Sequence, residues 1–129
     1  MTDADAVELR RQIHAHPELS GRERGSARRV RAFVESARPD DIVAGLGGHG
    51  LAAVFEGPND GPTVLLRAEL DALPIPEAGD RDHASTVPGV AHVCGHDGHA
   101  AALAAVALRL DRVRPSRGRA VLLFQPAEE

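Results

Sequence analysis

Residues 93–100 read Val93-Cys94-Gly95-His96-Asp97-Gly98-His99-Ala100, and they hold the only cysteine of the chain, two of its seven histidines and a carboxylate. A further imidazole, His92, lies just before this segment. The apolar, alanine-rich stretch that follows, residues 101–108, is typical of a helix. A thiol, imidazoles and a carboxylate this close together at the start of a helix are typical of metal ligands. The segment therefore predicts a metal site.

The composition is that of an ordinary globular domain. The 129 residues suffice for one domain with a hydrophobic core, and 43% of them are hydrophobic and 26% charged. A net charge of −4 with scattered arginines gives no basis for nucleic-acid binding. No segment is typical of a membrane span or a signal peptide, and a lone cysteine cannot form an internal disulfide. We therefore predict a cytoplasmic protein with no nucleic-acid or membrane partner.

The hydrophobic pattern predicts three helices and four strands. Ser20 and Glu23 have the spacing of a capping box, which predicts that the second helix starts at Ser20. The third strand is almost continuously apolar, which indicates a buried strand. The predicted helices span residues 3–15, 20–37 and 96–113, and the predicted strands span residues 41–44, 51–55, 63–68 and 119–124. This order predicts an α/β fold with a mostly parallel sheet flanked by helices.

Three polar clusters directly follow predicted buried segments. They are Glu69 with Asp71, Cys94 with His96 and His99, and Glu128 with Glu129. The functional crevice of an open α/β sheet lies at the carboxyl ends of its strands, so we expect these groups to converge. A thiolate, an imidazole and a carboxylate suit zinc or a related divalent ion. Of the two adjacent glutamates, one could bind the metal while the other carries a proton.

Spacing alone leaves other interpretations open. A buried cysteine beside surface histidines needs no metal, and Cys94 could instead be a nucleophile with a histidine base. His14 and His16 also have a spacing that could suit a metal. A polar turn at the end of the first helix is the simpler interpretation of that pair.

Four blocks of the sequence resemble the metal-dependent amidohydrolases of the hippurate hydrolase and N-acyl-amino-acid amidohydrolase type. These enzymes belong to the wider aminoacylase and carboxypeptidase group of metallopeptidases. The blocks follow the family order along essentially the whole chain. They are RQIHAHPELS at residues 11–20, LRAELDALPI at residues 66–75, PGVAHVCGHDGH at residues 88–99 and LFQPAEE at residues 123–129.

The resemblance implies the roles of five residues. Cys94 and His96 would bind a pair of divalent metal ions, with Glu129 as a ligand beside them. Glu128 would be the general base that activates the attacking water, and Asp71 would be a supporting catalytic carboxylate. The ions implied are zinc, manganese, cobalt or nickel. The reaction implied is hydrolysis of the amide bond of a small N-acyl amino acid, by an enzyme that forms a homodimer.

Two positions depart from the family pattern. Glu69 stands where the family usually has Asp, and Ala100 stands where it usually has Thr. The longer Glu69 side chain keeps the charge but could shift the geometry of the site. His92 and His99 are expected to shape the cluster rather than to bind metal.

The length also departs from the family, whose members are far longer. The resemblance implies that residues 1–129 are the N-terminal part of a metallohydrolase catalytic domain, without its dimerisation domain and C-terminal catalytic segment. No histidine follows His99, so we expect a complete two-metal site to need further residues. The alternative is a catalytically inactive metal-binding or interaction fragment of the same fold. Missing strands would also leave apolar sheet edges exposed.

Overall fold

The computed structural model describes residues 1–129 and contains three helices and four strands. The helices are α1 (Asp3–Ala15), α2 (Arg24–Glu35) and α3 (His96–Arg112), and the strands are β1 (Asp41–Leu46), β2 (Gly50–Glu56), β3 (Thr63–Glu69) and β4 (Arg119–Gln125). Every predicted element is present. The bounds of each element except α2 agree with the prediction to within two residues.

The four strands form one mixed sheet in the order β1-β2-β4-β3. Only β3 and β4 run parallel, whereas β1 with β2 and β2 with β4 are antiparallel. The predicted α/β class is confirmed, but the prediction of a mostly parallel sheet is wrong for these residues. The β1–β2 pair has a local reason, because a short glycine turn joins the two strands and such a turn can connect only antiparallel strands.

The helices pack against each other and against one face of the sheet, and the core lies between. Alternate residues of β2 and β4 point into this core, because successive side chains of a strand face opposite ways. The fully buried members of the two strands are Ala53, Phe55, Leu122 and Phe124, and they pack against α2 and α3. None of the helices combines the length and the apolar character that a membrane span requires.

Helix α2 begins later than predicted, so the capping box expected at Ser20 is wrong. The helix starts at Arg24, and the Ser20 hydroxyl donates instead to Asp71 Oδ2 at 2.8 Å. The amide groups at the helix start are bound by a more distant carboxylate. Glu18 accepts from the Gly25 and Ser26 N–H groups at 2.9 and 2.5 Å. A carboxylate at this position also complements the positive end of the helix dipole.

Strand β3 lies at one edge of the sheet, and the prediction that it is buried is wrong. Val64 and Leu65 are each 55% exposed, and Leu66 is 42% exposed. The strand pairs with β4 on one side only, so its other edge presents unpaired backbone groups to the surroundings. An exposed apolar edge of this kind favours pairing with another strand.

We expect the 129-residue chain to self-associate through the β3 edge, and Leu65→Lys to weaken this association. A charged side chain on an edge strand opposes strand addition, and the dimer dissociation constant should rise by at least about tenfold. The measurement is sedimentation equilibrium of both proteins. Val113→Lys is the matched control, because Val113 is 75% exposed but lies just after α3, outside the sheet. Equal association of the Leu65→Lys variant and the parent would refute an interface at β3.

Candidate metal centre

The carboxyl ends of β3 and β4 lie side by side, and both lead into the predicted site. The parallel pairing continues past the strands through a hydrogen bond from the Leu70 N–H to the Gln125 carbonyl, at 2.9 Å. Asp71 follows at the end of β3, and Glu128 and Glu129 follow at the end of β4. The sheet thus brings together two of the three predicted clusters, which are separated widely in sequence.

The third cluster, Cys94 with His96 and His99, lies at the start of α3. Gly95 precedes the first residue of the helix and has φ +84°, a left-handed conformation that other residues rarely adopt. This conformation turns the chain from the segment containing Cys94 into the helix. His96 is consequently the first helical residue and is only 3% exposed, whereas Cys94 remains exposed.

Cys94, His96 and Glu129 form a candidate metal site. One ligand atom from each of the three lies within 4.8 Å of the other two. Three protein donors with a further position open are the usual set of a catalytic zinc ion. Thiolate, imidazole and carboxylate together suit zinc and related divalent ions of borderline softness. These are also the three residues for which the family resemblance implied metal binding.

The hydrogen bonding of His96 supports this assignment. Its Nδ1 lies 2.8 Å from the backbone carbonyl of Asp71, which can only accept, so Nδ1 carries the proton. In the neutral ring, Nε2 then presents its lone pair to Glu128 Oε2 at 3.5 Å and to Glu129 Oε1 at 3.6 Å. Three electron-rich atoms facing each other without a hydrogen bond are suited to a cation between them. A backbone carbonyl behind a histidine is also the usual partner of a metal-binding imidazole.

Asp71 joins the parts of the site and is 1% exposed. Its Oδ2 accepts from the Ser20 hydroxyl at 2.8 Å and from the Glu129 N–H at 2.9 Å, while its carbonyl holds His96. Burial has the largest single effect on the pKa of Asp71 and raises it, but hydrogen bonds from the Glu129 backbone, Ser20 and neighbouring amides outweigh burial and lower the pKa. Asp71 therefore stays charged in the folded chain and orients both His96 and the Glu129 backbone.

The environment of Cys94 opposes a nucleophilic role. A hydrogen bond to the Glu129 carboxylate, followed by desolvation and the charges of nearby carboxylates, raises the pKa of the Cys94 thiol. A nucleophilic cysteine needs the opposite, a pKa lowered by a cation or a helix N-terminus. A divalent cation bound among these groups would reverse the effect, because coordination deprotonates a thiol. The electrostatics therefore favour the metal interpretation over the thiol-enzyme interpretation.

Glu69 and His99 lie beside the candidate site and form their own pair. Glu69 Oε2 lies 2.8 Å from His99 Nδ1, and Arg67 lies 3.7 Å from the other Glu69 oxygen. The rings of His99 and His96 have centroids 6.0 Å apart. The glutamate that replaces the usual Asp of the family thus contacts a neighbouring imidazole rather than the three clustered donors.

A buried ionic cluster contacts the first turn of α3 through Asp97. The sequence did not predict this cluster. His14 Nδ1 lies 2.8 Å from Asp97 Oδ2, and its Nε2 lies 2.5 Å from Glu77 Oε1. Arg10 Nε also lies 3.2 Å from Asp97. Both ring nitrogens of His14 are thus bound by carboxylates, and His16 bonds only to the Gln12 carbonyl of its own helix. The suggestion that His14 and His16 form a metal pair is therefore wrong.

The pKa values of this cluster follow from its geometry. Burial lowers the pKa of His14, but hydrogen bonds to Glu77 and Asp97 and the charges of both outweigh burial, and the net shift is upward. For Asp97 burial raises the pKa, but the hydrogen bond with His14, the adjacent imidazoles and the Gly98 N–H outweigh burial and lower the pKa overall. His92, 5% exposed and without a hydrogen-bond partner, behaves differently, because burial lowers its pKa to about 4. The sequence showed His14 only through its spacing from His16 and Asp97 only as part of the segment 93–100, and neither signal indicated that the two side chains meet.

Comparisons with known proteins find similar sequences and a similar structure along nearly the whole chain. The sequence model of Peptidase family M20/M25/M40 matches residues 65–129. The N-acyl-L-amino acid amidohydrolase of Geobacillus stearothermophilus is 40% identical over 132 residues, covering 97% of this chain and 34% of that protein. The N-acetylcysteine deacetylase of Bacillus subtilis is 37% identical over 124 residues, covering 95% of this chain and 33% of that protein.

A solved structure also matches. The YXEP protein of Bacillus subtilis, described as a dinuclear metal binding peptidase from the M20 family, superposes with a TM-score of 0.90 at 36% sequence identity. The match covers 98% of this chain and 35% of that one. The chain thus spans about a third of the length of the curated relatives it matches.

Proposed function

Because the chain belongs to Peptidase family M20/M25/M40, we propose that it carries part of the active site of a metal-dependent amidohydrolase. The observation that supports this most strongly is the convergence of Cys94, His96 and Glu129 within 4.8 Å. The proposed substrate is a small N-acyl amino acid, since relatives named for deacetylation and amidohydrolysis share 37% to 40% identity with the chain. We further propose a homodimeric enzyme of the cytoplasm, where an exposed Cys94 thiol stays reduced.

The proposed metal ligands are Cys94, His96 and Glu129. The chemistry that a divalent ion would supply when bound there is Lewis acidity, which polarises the scissile carbonyl and acidifies water. A second ion is proposed by analogy with the dinuclear neighbour, and its identity could be zinc, manganese, cobalt or nickel. The three donors fit one such ion with a position open, so a second would need donors in addition to these.

Glu128 is the proposed general base. Its carboxylate lies 3.5 Å from His96 Nε2 and its side chain is 37% exposed, so it faces the site while remaining open to a substrate. Glu128 would take a proton from water as the oxygen attacks the amide carbon, and would then give that proton to the leaving amine as the C–N bond breaks. Asp71 is the proposed supporting carboxylate, because it fixes the His96 ring and the Glu129 backbone.

Metal binding by the chain is the first test of this proposal. We expect Co²⁺ to give visible absorption bands together with a near-ultraviolet band from thiolate coordination, and a chelator to remove both. Cys94→Ser should remove the thiolate band and weaken Co²⁺ binding by at least about tenfold. His16→Ala is the matched control, because His16 is exposed and bonds only within α1. Absence of these bands in the parent chain would refute the metal centre.

Hydrolysis is the second part of the test. The protein, expressed as its complete reading frame, should hydrolyse N-acetyl amino acids, lose activity with a chelator and regain it with Zn²⁺, Mn²⁺ or Co²⁺. Activity that resists the chelator but is lost on thiol alkylation would indicate a thiol enzyme instead. Metal binding without any hydrolysis would favour the alternative, a catalytically inactive metal-binding module.

A further inference from the structure

Glu23 is a fully buried carboxylate for which the proposed mechanism has no use. Glu23 is 0% exposed and is the residue that directly precedes α2. Oε2 accepts a hydrogen bond from the Ala127 N–H at 2.6 Å, and Oε1 has no hydrogen-bond partner. Burying a carboxylate is costly. A buried carboxylate whose one hydrogen bond comes from a residue 104 positions away is therefore unusual.

Glu23 does not act as a helix cap. Its side chain makes no capping hydrogen bond, and the Gly25 and Ser26 amides at the start of α2 are bound by Glu18. The Glu23 carboxylate points away from its own helix, toward the segment that follows β4. Its position is thus explained by Ala127 and not by the stability of α2.

Ala127 has an uncommon backbone conformation. Its φ is +49°, in the left-handed region that non-glycine residues rarely adopt, and its side chain is exposed. A residue in this region keeps its conformation only where the surroundings hold it. The hydrogen bond from its N–H to Glu23 is such a restraint.

The two buried carboxylates hold the chain on either side of Glu128. Glu23 binds the Ala127 N–H, and Asp71 binds the Glu129 N–H at 2.9 Å. Between these fixed amides, the backbone directs the Glu128 and Glu129 side chains toward His96 Nε2. Release of Ala127 would let the segment relax to an ordinary conformation and turn both carboxylates away.

We propose that Glu23 is a positioning residue for the Glu128–Glu129 pair, acting by holding Ala127 in the left-handed conformation. The inference rests on the proposed role of that pair at the metal centre. It assigns to Glu23 no contact with substrate or metal. It requires only that the Glu23 side chain offer a hydrogen-bond acceptor to the Ala127 N–H.

The test measures Co²⁺ affinity and absorption in variants of the chain. Glu23→Ala should raise the Co²⁺ dissociation constant at least tenfold and change the bands that report the ligand geometry. Glu23→Gln, whose amide oxygen can accept the same hydrogen bond, should stay within threefold of the parent. Glu18→Ala is the matched control, since it removes a carboxylate from the same connection between α1 and α2. It should lower the melting temperature without changing the Co²⁺ dissociation constant.

A second variant keeps the test decisive if Glu23→Ala does not fold. Ala127→Val places a β-branched residue, which strongly disfavours the left-handed region, at an exposed position outside the core. It should also raise the Co²⁺ dissociation constant at least tenfold. An unchanged constant in Ala127→Val, or in a folded Glu23→Ala, would overturn the inference. A parent chain that gives no Co²⁺ bands would instead overturn the metal centre on which it rests.

Discussion

Replacing Glu128 with Gln is expected to lower kcat for amide hydrolysis by about 10³-fold while leaving metal binding within about threefold of the parent, because a positioned general base contributes in this range. The variant keeps the size of the side chain and removes only its ability to accept and return a proton. The measurement is steady-state kinetics on an N-acetyl amino acid with the complete reading frame, alongside a Co²⁺ titration.

Glu129→Gln is the matched comparison, since the two residues are adjacent and both lie near His96 Nε2, at 3.5 and 3.6 Å. The proposed roles differ, so the variants should differ too. Glu129→Gln should weaken Co²⁺ binding by at least about tenfold, because an amide is a poorer ligand than a carboxylate. If Glu128→Gln loses the metal while Glu129→Gln keeps it and loses only rate, the two roles are exchanged.

His14→Ala is expected to destabilise the fold by about 3 kcal/mol near pH 6, because it leaves the buried Asp97 and Glu77 carboxylates without their shared partner. The side chains of His14 and Asp97 are 5% and 1% exposed, so bulk water does not solvate these groups in the folded parent chain. For a chain of this length the melting temperature should fall by about 10 °C. The measurement is thermal and chemical unfolding of both proteins across a range of pH.

The pH dependence of this difference has a definite sign. The pKa of His14 is raised in the folded state, so its contribution is complete below the unfolded value of about 6.5 and is lost as the pH rises through the folded value. The pKa values of Asp97 and Glu77 are lowered, so their contributions are present above about pH 4 and are lost in acid. The difference between parent and variant should therefore be largest between about pH 4 and pH 6.5.

His16→Ala serves as the control for this prediction, because His16 is exposed and bonds only to the Gln12 carbonyl of its own helix. It should show no comparable loss of stability and no such pH profile. A difference between parent and His14→Ala that grew above pH 7 would contradict the ionic account of the cluster.

Local signals in the sequence were sufficient for the elements of the fold. Glycine and proline turns separate the strands, and the apolar stretch after His99 has the composition of a helix, so the bounds of α1, α3 and β4 could be predicted closely. The convergence of Asp71 with Glu128 and Glu129 was also predictable. It requires only that β3 and β4 be parallel neighbours with groups at their carboxyl ends.

The failures at β3 and at the start of α2 arose where the answer depends on distant residues. Nothing within residues 63–68 distinguishes a central strand from an edge strand, because both are apolar and the difference lies in what pairs beside them. Ser20 and Glu23 have the spacing of a capping box, yet each bonds to a residue far along the chain, Asp71 for one and Ala127 for the other. Local spacing cannot reveal such partners.

The parallel pairing of β3 with β4 also fixes when the site can form. Paired residues of the two strands, such as Thr63 and Arg119, are 56 positions apart, and the intervening chain contains all of α3. Closing so long a connection is entropically costly, so we expect this contact to form late in folding. Glu129 reaches Cys94 and His96 only after that event. An ion that binds these three residues would therefore slow the unfolding of the finished domain and would do little to speed its folding.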